Sequence, residues 1–158
     1  MIAAILLQAA SLPALPADAW VRVSASIGLH GATIIDFITD PVDTRDGEYT
    51  LRLITRTGDG SSISSWATSR TCSGVREAVE ALNSIPFPAV TSPRDGTEII
   101  VDGVTYSVLF SARYGSQDSG LLELRSNVGT PLAAWVNKMI ATAKPCWSGY
   151  RTLNKPLR

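Results

Sequence analysis

The chain has 158 residues, 45% of them hydrophobic, and its 14 basic and 14 acidic residues balance at neutral pH. This length is sufficient for one domain with a sizeable hydrophobic core. The balanced charge argues against nucleic acid or an anionic membrane surface as the main partner.

The N-terminal segment has the pattern of an export signal. Residues 1–15 form an apolar run without a charged side chain, followed by a small-x-small triplet that ends at Ala19. The run is shorter than the roughly 20 apolar residues of a membrane span. We therefore predict a cleaved signal peptide over 1–19 and a single α+β domain over 20–158, periplasmic or secreted and without a membrane span. Because no basic residue precedes the apolar run, a buried N-terminal helix is the alternative.

Strand patterns dominate the first half of the remaining chain. Residues 21–27 and 49–56 alternate apolar and polar side chains, the period of a half-buried strand. Residues 33–38 form a second apolar stretch whose type the pattern does not decide. A glycine-rich turn at 58–61 lets residues 63–69 return as an antiparallel strand.

Two helices are predicted, each with a capping residue. Ser73 is the expected N-cap of the first helix, which ends before Pro86. Thr130 is the expected N-cap of the second, with Pro131 in the first helical position and Pro145 at its end.

The second half of the chain repeats the pattern of predicted strands and helix found in the first. An Asp102-Gly103 pair predicts a tight hairpin that leads into a strand from Val104 onward. A shift of 57 residues places Tyr49 on Tyr106 and the first helix on the second. We therefore expect an antiparallel sheet with two amphipathic helices packed on one face, as a tandem β-β-α pseudo-repeat.

The two cysteines bracket the predicted helices. Cys72 lies just before the first helix and Cys146 just after the second. An even number of cysteines in an exported chain predicts a disulfide. A disulfide between these positions requires the start of one helix to lie beside the end of the other, so the helices should be antiparallel.

Catalytic motifs are absent from the sequence. His30 is the only histidine, and we find no nucleophile elbow, metalloprotease motif or phosphate-binding glycine loop. We therefore expect no catalytic residue, no cofactor and no metal site. The alternative is an envelope hydrolase or lyase in which His30 acts with a nearby carboxylate, Asp36 or Asp40.

The face of the sheet turned away from the helices is the candidate binding surface. The alternation predicts that Arg52, Trp66, Leu109 and Arg113 point outward there, a composition typical of binding hot spots. We predict a non-catalytic binding or inhibitor module that recognises a protein or an envelope glycan. One alternative is that the apolar stretch 34–38 folds over this face and buries it. Another is a purely structural role.

Overall fold

The apolar periodicity of the chain produces one antiparallel sheet with two helices, as predicted. A computed structural model describes residues 14–27, 31–38, 48–89, 103–114 and 117–148. Within these residues, six strands lie in the order β4-β3-β2-β1-β5-β6. They are β1 (Ala19–Ile27), β2 (Gly31–Ile38), β3 (Thr50–Thr57), β4 (Ser62–Thr68), β5 (Val104–Tyr114) and β6 (Gln117–Ser126). The α+β fold class is confirmed, and residues 33–38 belong to a strand.

The helices are α1 (Ser73–Glu80) and α2 (Pro131–Ala143), and a short 3-10 turn follows each of them. The predicted cap of α2 is confirmed, because the hydroxyl of Thr130 accepts a hydrogen bond from the backbone N–H of Ala133 at 3.2 Å. The predicted cap of α1 is wrong by one residue. Cys72 occupies the N-cap position without a side-chain hydrogen bond, and Ser73 is the first helical residue. In the described part of the chain, no helix is long and apolar enough to cross a membrane.

The hydrophobic core lies between the two helices and one face of the sheet. Alternate residues of the central strands point toward the helices. The completely buried members of this core are Val23, Ile35, Leu51, Val75, Val108, Val136 and Ala143.

The two helices pack closely and run antiparallel. Near the start of α1, a Cβ added to Gly74 would lie 2.7 Å from the backbone oxygen of Thr142, close to the end of α2. At the opposite end, the indole N–H of Trp135 in α2 donates to the backbone oxygen of Ala81 at 3.1 Å. A side chain at position 74 would therefore clash with the backbone of α2, which makes glycine necessary there.

The predicted disulfide is present and ties the two helices together. Cys72 and Cys146 are bonded, with their Cα atoms 5.6 Å apart across 74 positions of sequence. Two residues later, Ser148 exchanges backbone hydrogen bonds of 2.8 and 2.9 Å with Trp66. These bonds place the chain after α2 against β4, an edge strand of the sheet.

The element order contains two hairpin–helix units, β3-β4-α1 and β5-β6-α2, at opposite sides of the sheet. The pseudo-repeat itself stays a prediction. The Asp102-Gly103 hairpin falls partly outside the described residues, since these resume at Gly103.

Candidate functional site

A row of side chains crosses the sheet on the face opposite to the helices. Leu51 and Leu53 of β3 belong to the helix-facing core, so Arg52 between them points the other way. Strand pairing places one such residue from each strand side by side. We call this set the transverse row: Trp66, Arg52, Asp36, Arg22, Leu109 and Glu123.

The centre of the transverse row is a buried carboxylate between two guanidinium groups. Arg22 donates from Nε to Asp36 Oδ1 at 2.7 Å and from Nη2 to Oδ2 at 3.0 Å. Arg52 donates to Oδ2 from Nε at 3.1 Å and from Nη2 at 2.8 Å. The side chain of Asp36 is 0% exposed, so its charge is satisfied by the arginines instead of water.

Arg52 connects this buried cluster to the surface. Its Nη1 and Nη2 atoms face the carboxylate of Asp18 at 3.3 and 3.4 Å. Its guanidinium carbon lies 5.6 Å from the centre of the Trp66 ring, within the range of a cation–π contact. The Arg52 side chain is 18% exposed, whereas that of Asp18 is 50% exposed. Arg52 is therefore held in one orientation by two carboxylates and an aromatic ring.

The residues that precede β1 contact this face of the sheet. The backbone oxygen of Ala14 accepts from Nη1 of Arg22 at 3.2 Å, and Asp18 contacts Arg52 as described above. Both residues lie inside the predicted signal peptide 1–19. The cleavage itself stays a prediction. It would remove the contacts of Ala14 and Asp18 and so expose the guanidinium groups of Arg22 and Arg52.

Burial divides the outer face into a closed centre and open flanks. Arg22 and Ser24 alternate with apolar residues, yet they are only 4% and 1% exposed. The hydroxyl groups of Ser24 and Ser107 lie 2.9 Å apart across the β1–β5 pair. At the edge strand β6, in contrast, Leu121 is 62% exposed. The suggestion that residues 34–38 cover this face is wrong, because they form β2 in the middle of the sheet.

The predicted binding residues occupy different parts of the outer face. Arg52 and Trp66 are direct neighbours across the β3–β4 pair. Leu109 lies in the same row but on the far side of the Arg22–Asp36 pair, where it is half-buried. Arg113 lies in β5 opposite Ser119, and its side chain is outside the described residues. The structure therefore brings together the Arg52–Trp66 half of the predicted surface.

Three residues of the cluster were missed at the level of sequence: Arg22, Asp36 as an arginine partner, and Asp18. Asp36 carried a usable signal, because it is the one charged residue in an otherwise apolar and hydroxylated run over 33–38. A carboxylate in a buried strand requires a cationic partner. Its partners follow only from the strand register, which the local pattern does not specify.

The residues of the alternative catalytic prediction are only partly within the described chain. His30 and Asp40 lie outside it, so a histidine–carboxylate pair stays untested. Asp36 is inside, and both of its oxygens accept hydrogen bonds from arginines. Among the residues that the structure describes, no group of three or more histidine, cysteine, aspartate or glutamate side chains is arranged to hold a metal ion.

A concavity lies at the border between β6 and the start of α2. It is a groove of about 250 Å³ whose walls include the segment Pro86-Phe87-Pro88, Leu124 and Leu132. Phe87 is 63% exposed and meets Phe110 edge to face, with 6.5 Å between ring centres. This groove is mainly apolar, and among the described residues that line it Arg125 carries a charge.

Comparison with known proteins does not place the chain in a family: no family model matches it, and no curated protein or solved structure does. The fold and the site therefore define its class. It is an α+β protein with two disulfide-linked helices on one face of an antiparallel sheet and an arginine–carboxylate row on the other.

Proposed function

We propose that this protein is an exported, non-catalytic binding module that recognises an envelope glycan through the outer sheet face at Arg52 and Trp66. The observation that carries the proposal is the held geometry of this pair. Arg52 is fixed by two hydrogen bonds to the buried Asp36 and lies against a partly exposed tryptophan. Side chains already ordered before binding lose little entropy when a ligand arrives, which favours affinity.

The chemistry of the pair suits a sugar ligand. Tryptophan offers a flat apolar surface, and the adjacent guanidinium donates hydrogen bonds to ring substituents. Hydroxyl-bearing residues flank Trp66 on the same face of β4, at Ser64 and Thr68. Apolar stacking next to several hydrogen-bonding groups is the combination that a hydroxyl-rich ring requires.

Export is supported by the disulfide between Cys72 and Cys146 together with the apolar N-terminal run. Disulfides persist in oxidising compartments and are rare in the cytosol. The same bond supports a non-catalytic role, since it removes both thiols as nucleophiles. The arginines likewise bind both oxygens of Asp36, a carboxylate that the alternative catalytic prediction pairs with His30.

Co-sedimentation with purified peptidoglycan sacculi tests the proposal. The wild-type chain should sediment with sacculi, and Trp66→Leu should sediment at least about tenfold less, as expected for a tryptophan hot spot. Leucine keeps an apolar side chain at this position of β4 while it removes the aromatic surface and the indole N–H. Arg52→Gln should weaken binding in the same direction.

The matched control is Ile63→Ala on the same strand. Ile63 is 67% exposed and its side chain points to the other face, so its removal should leave sedimentation unchanged. Equal loss with Ile63→Ala and Trp66→Leu would contradict the outer face as the binding surface. The wild-type protein could instead remain in the supernatant while a purified protein partner shields Trp66 from solvent. That result would mean that the ligand is a protein and not a glycan.

A further inference from the structure

We infer that the outward end of the Arg52 guanidinium is a carboxylate-binding subsite, and that Asp18 occupies it as a built-in competitor of an acidic ligand. This inference rests on the proposed function and specifies the ligand as a glycan that carries carboxylates. Arg52 divides its hydrogen-bond donors between two carboxylates, Asp36 and Asp18.

The two carboxylates differ in how they are bound. Asp36 takes the Nε–Nη2 edge of Arg52 at 3.1 and 2.8 Å and is completely buried. Asp18 takes the Nη1–Nη2 end at 3.3 and 3.4 Å, and half of its side chain is exposed. The first contact is therefore part of the fold. The second is a long, solvent-exposed ion pair of the kind that contributes little to stability.

The geometry of the Asp18 contact is that of a bidentate carboxylate complex. Two guanidinium nitrogens face two carboxylate oxygens, the arrangement that arginine uses to recognise carboxylate ligands. The Trp66 ring centre lies 5.6 Å from the guanidinium carbon, so one acidic sugar residue can reach both groups. A ligand carboxylate can thus replace that of Asp18 without any change in the buried cluster.

The charge of the cluster changes when Asp18 leaves. Loss of Asp18 removes one negative charge from the exposed end of the Arg52 guanidinium. The local potential there becomes more positive, which attracts an anionic ligand. Removal of residues 1–19 by the predicted cleavage would take Asp18 away, so maturation and exposure of the subsite would coincide.

The test uses the full-length chain, with residues 1–19 retained and its disulfide formed, and trigalacturonate as the probe in titration calorimetry. Asp18→Asn should bind trigalacturonate roughly two- to fivefold more tightly than wild type, the range set by loss of an exposed ion pair. Arg52→Gln in the Asp18→Asn background should weaken binding at least about tenfold. The neutral galactose trisaccharide should bind both Asp18 forms equally.

Asp59→Asn is the charge-matched control, because Asp59 is an exposed aspartate in the β3–β4 turn, far along β3 from Arg52. If Asp59→Asn increases affinity as much as Asp18→Asn does, the effect is one of net charge and the subsite is refuted. Unchanged affinity in Asp18→Asn also refutes it. The proposed function is judged separately, by the loss of sacculus binding in Trp66→Leu.

Discussion

Replacement of Asp36 by asparagine should be the most damaging single substitution on the outer face. Asp36 accepts four guanidinium hydrogen bonds of 2.7 to 3.1 Å. Asparagine keeps the size of the side chain, but it removes the charge and turns an amide N–H₂ toward the arginines. Arg22, whose side chain is 5% exposed, would then lose the carboxylate of Asp36 that faces its buried charge.

The expected loss follows from this burial. Breaking a buried ion pair by removal of one partner costs about 3–5 kcal/mol. For a domain of this size the corresponding decrease in melting temperature is about 6–20 °C. Such a loss is a large part of the 5–15 kcal/mol that typically separates folded from unfolded domains, so urea titration followed by circular dichroism should detect it readily.

Glu123→Gln is the matched control for this measurement. It makes the same acid-to-amide change in the same transverse row, but Glu123 pairs with Arg125 at 2.6 Å with side chains 34% and 51% exposed. An exposed pair contributes at most about 1 kcal/mol, so this variant should unfold nearly as wild type does. If Asp36→Asn costs no more than Glu123→Gln, the central cluster is not a desolvated ion pair and the reasoning fails.

Three further predictions concern local features of the fold. Reduction of the disulfide, which closes a loop of 74 positions, should lower the free energy of unfolding by up to about 4.5 kcal/mol, and equal melting temperatures with and without reductant would contradict this. Thr130→Ala should cost about 1 kcal/mol in urea unfolding through loss of the α2 cap, whereas Ser73→Ala, which removes no cap, should cost clearly less. Hydrogen bonds from the Thr57 side chain and the Ser61 backbone and side chain lower the pKa of Asp59 to about 2. The stabilising effect of the ionised Asp59 carboxylate should therefore be complete above the ordinary pKa of 3.8 and be lost as the pH falls toward 2. An NMR titration of Asp59 with a midpoint near 3.8 would refute the lowered pKa.

The elements of the fold could be predicted from sequence because they depend on local periodicity. Alternation at 49–56 and a capped, proline-initiated segment at 130 each specify one backbone conformation. The position of the disulfide then restricted the helices to an antiparallel arrangement. These inferences need no knowledge of which strands are neighbours.

The outer face could not be predicted in the same way. Alternation indicates that Arg22 and Ser24 lie on the polar face of a half-buried strand, but it does not show that neighbouring strands and the segment before β1 supply partners for them. The Arg22–Asp36 pair depends on the β1–β2 register, which is shifted by an irregularity between Ala19 and Val21. A shift of one residue would turn Asp36 toward the core, so the ion pair is a property of the register.

Strand order was also beyond local patterns. β1 lies between β2, its neighbour in sequence, and β5, which begins more than 70 residues later. Nothing in residues 21–27 indicates this partner. The pairing of β1 with β5 can be recognised only from the complete strands, in which, for example, Ser24 lies opposite Ser107.

The place of β1 in the sheet also has a consequence for the timing of folding. While the chain emerges from the ribosome or from a translocation channel, β1 to β4 can associate in sequence as a meander, but one edge of β1 waits for β5. Pairings over so long a sequence separation form slowly, because a large loop must close first. Cys72 likewise has no partner in this two-cysteine chain until Cys146 has emerged. Completion of the sheet and of the disulfide therefore depends on the last third of the chain.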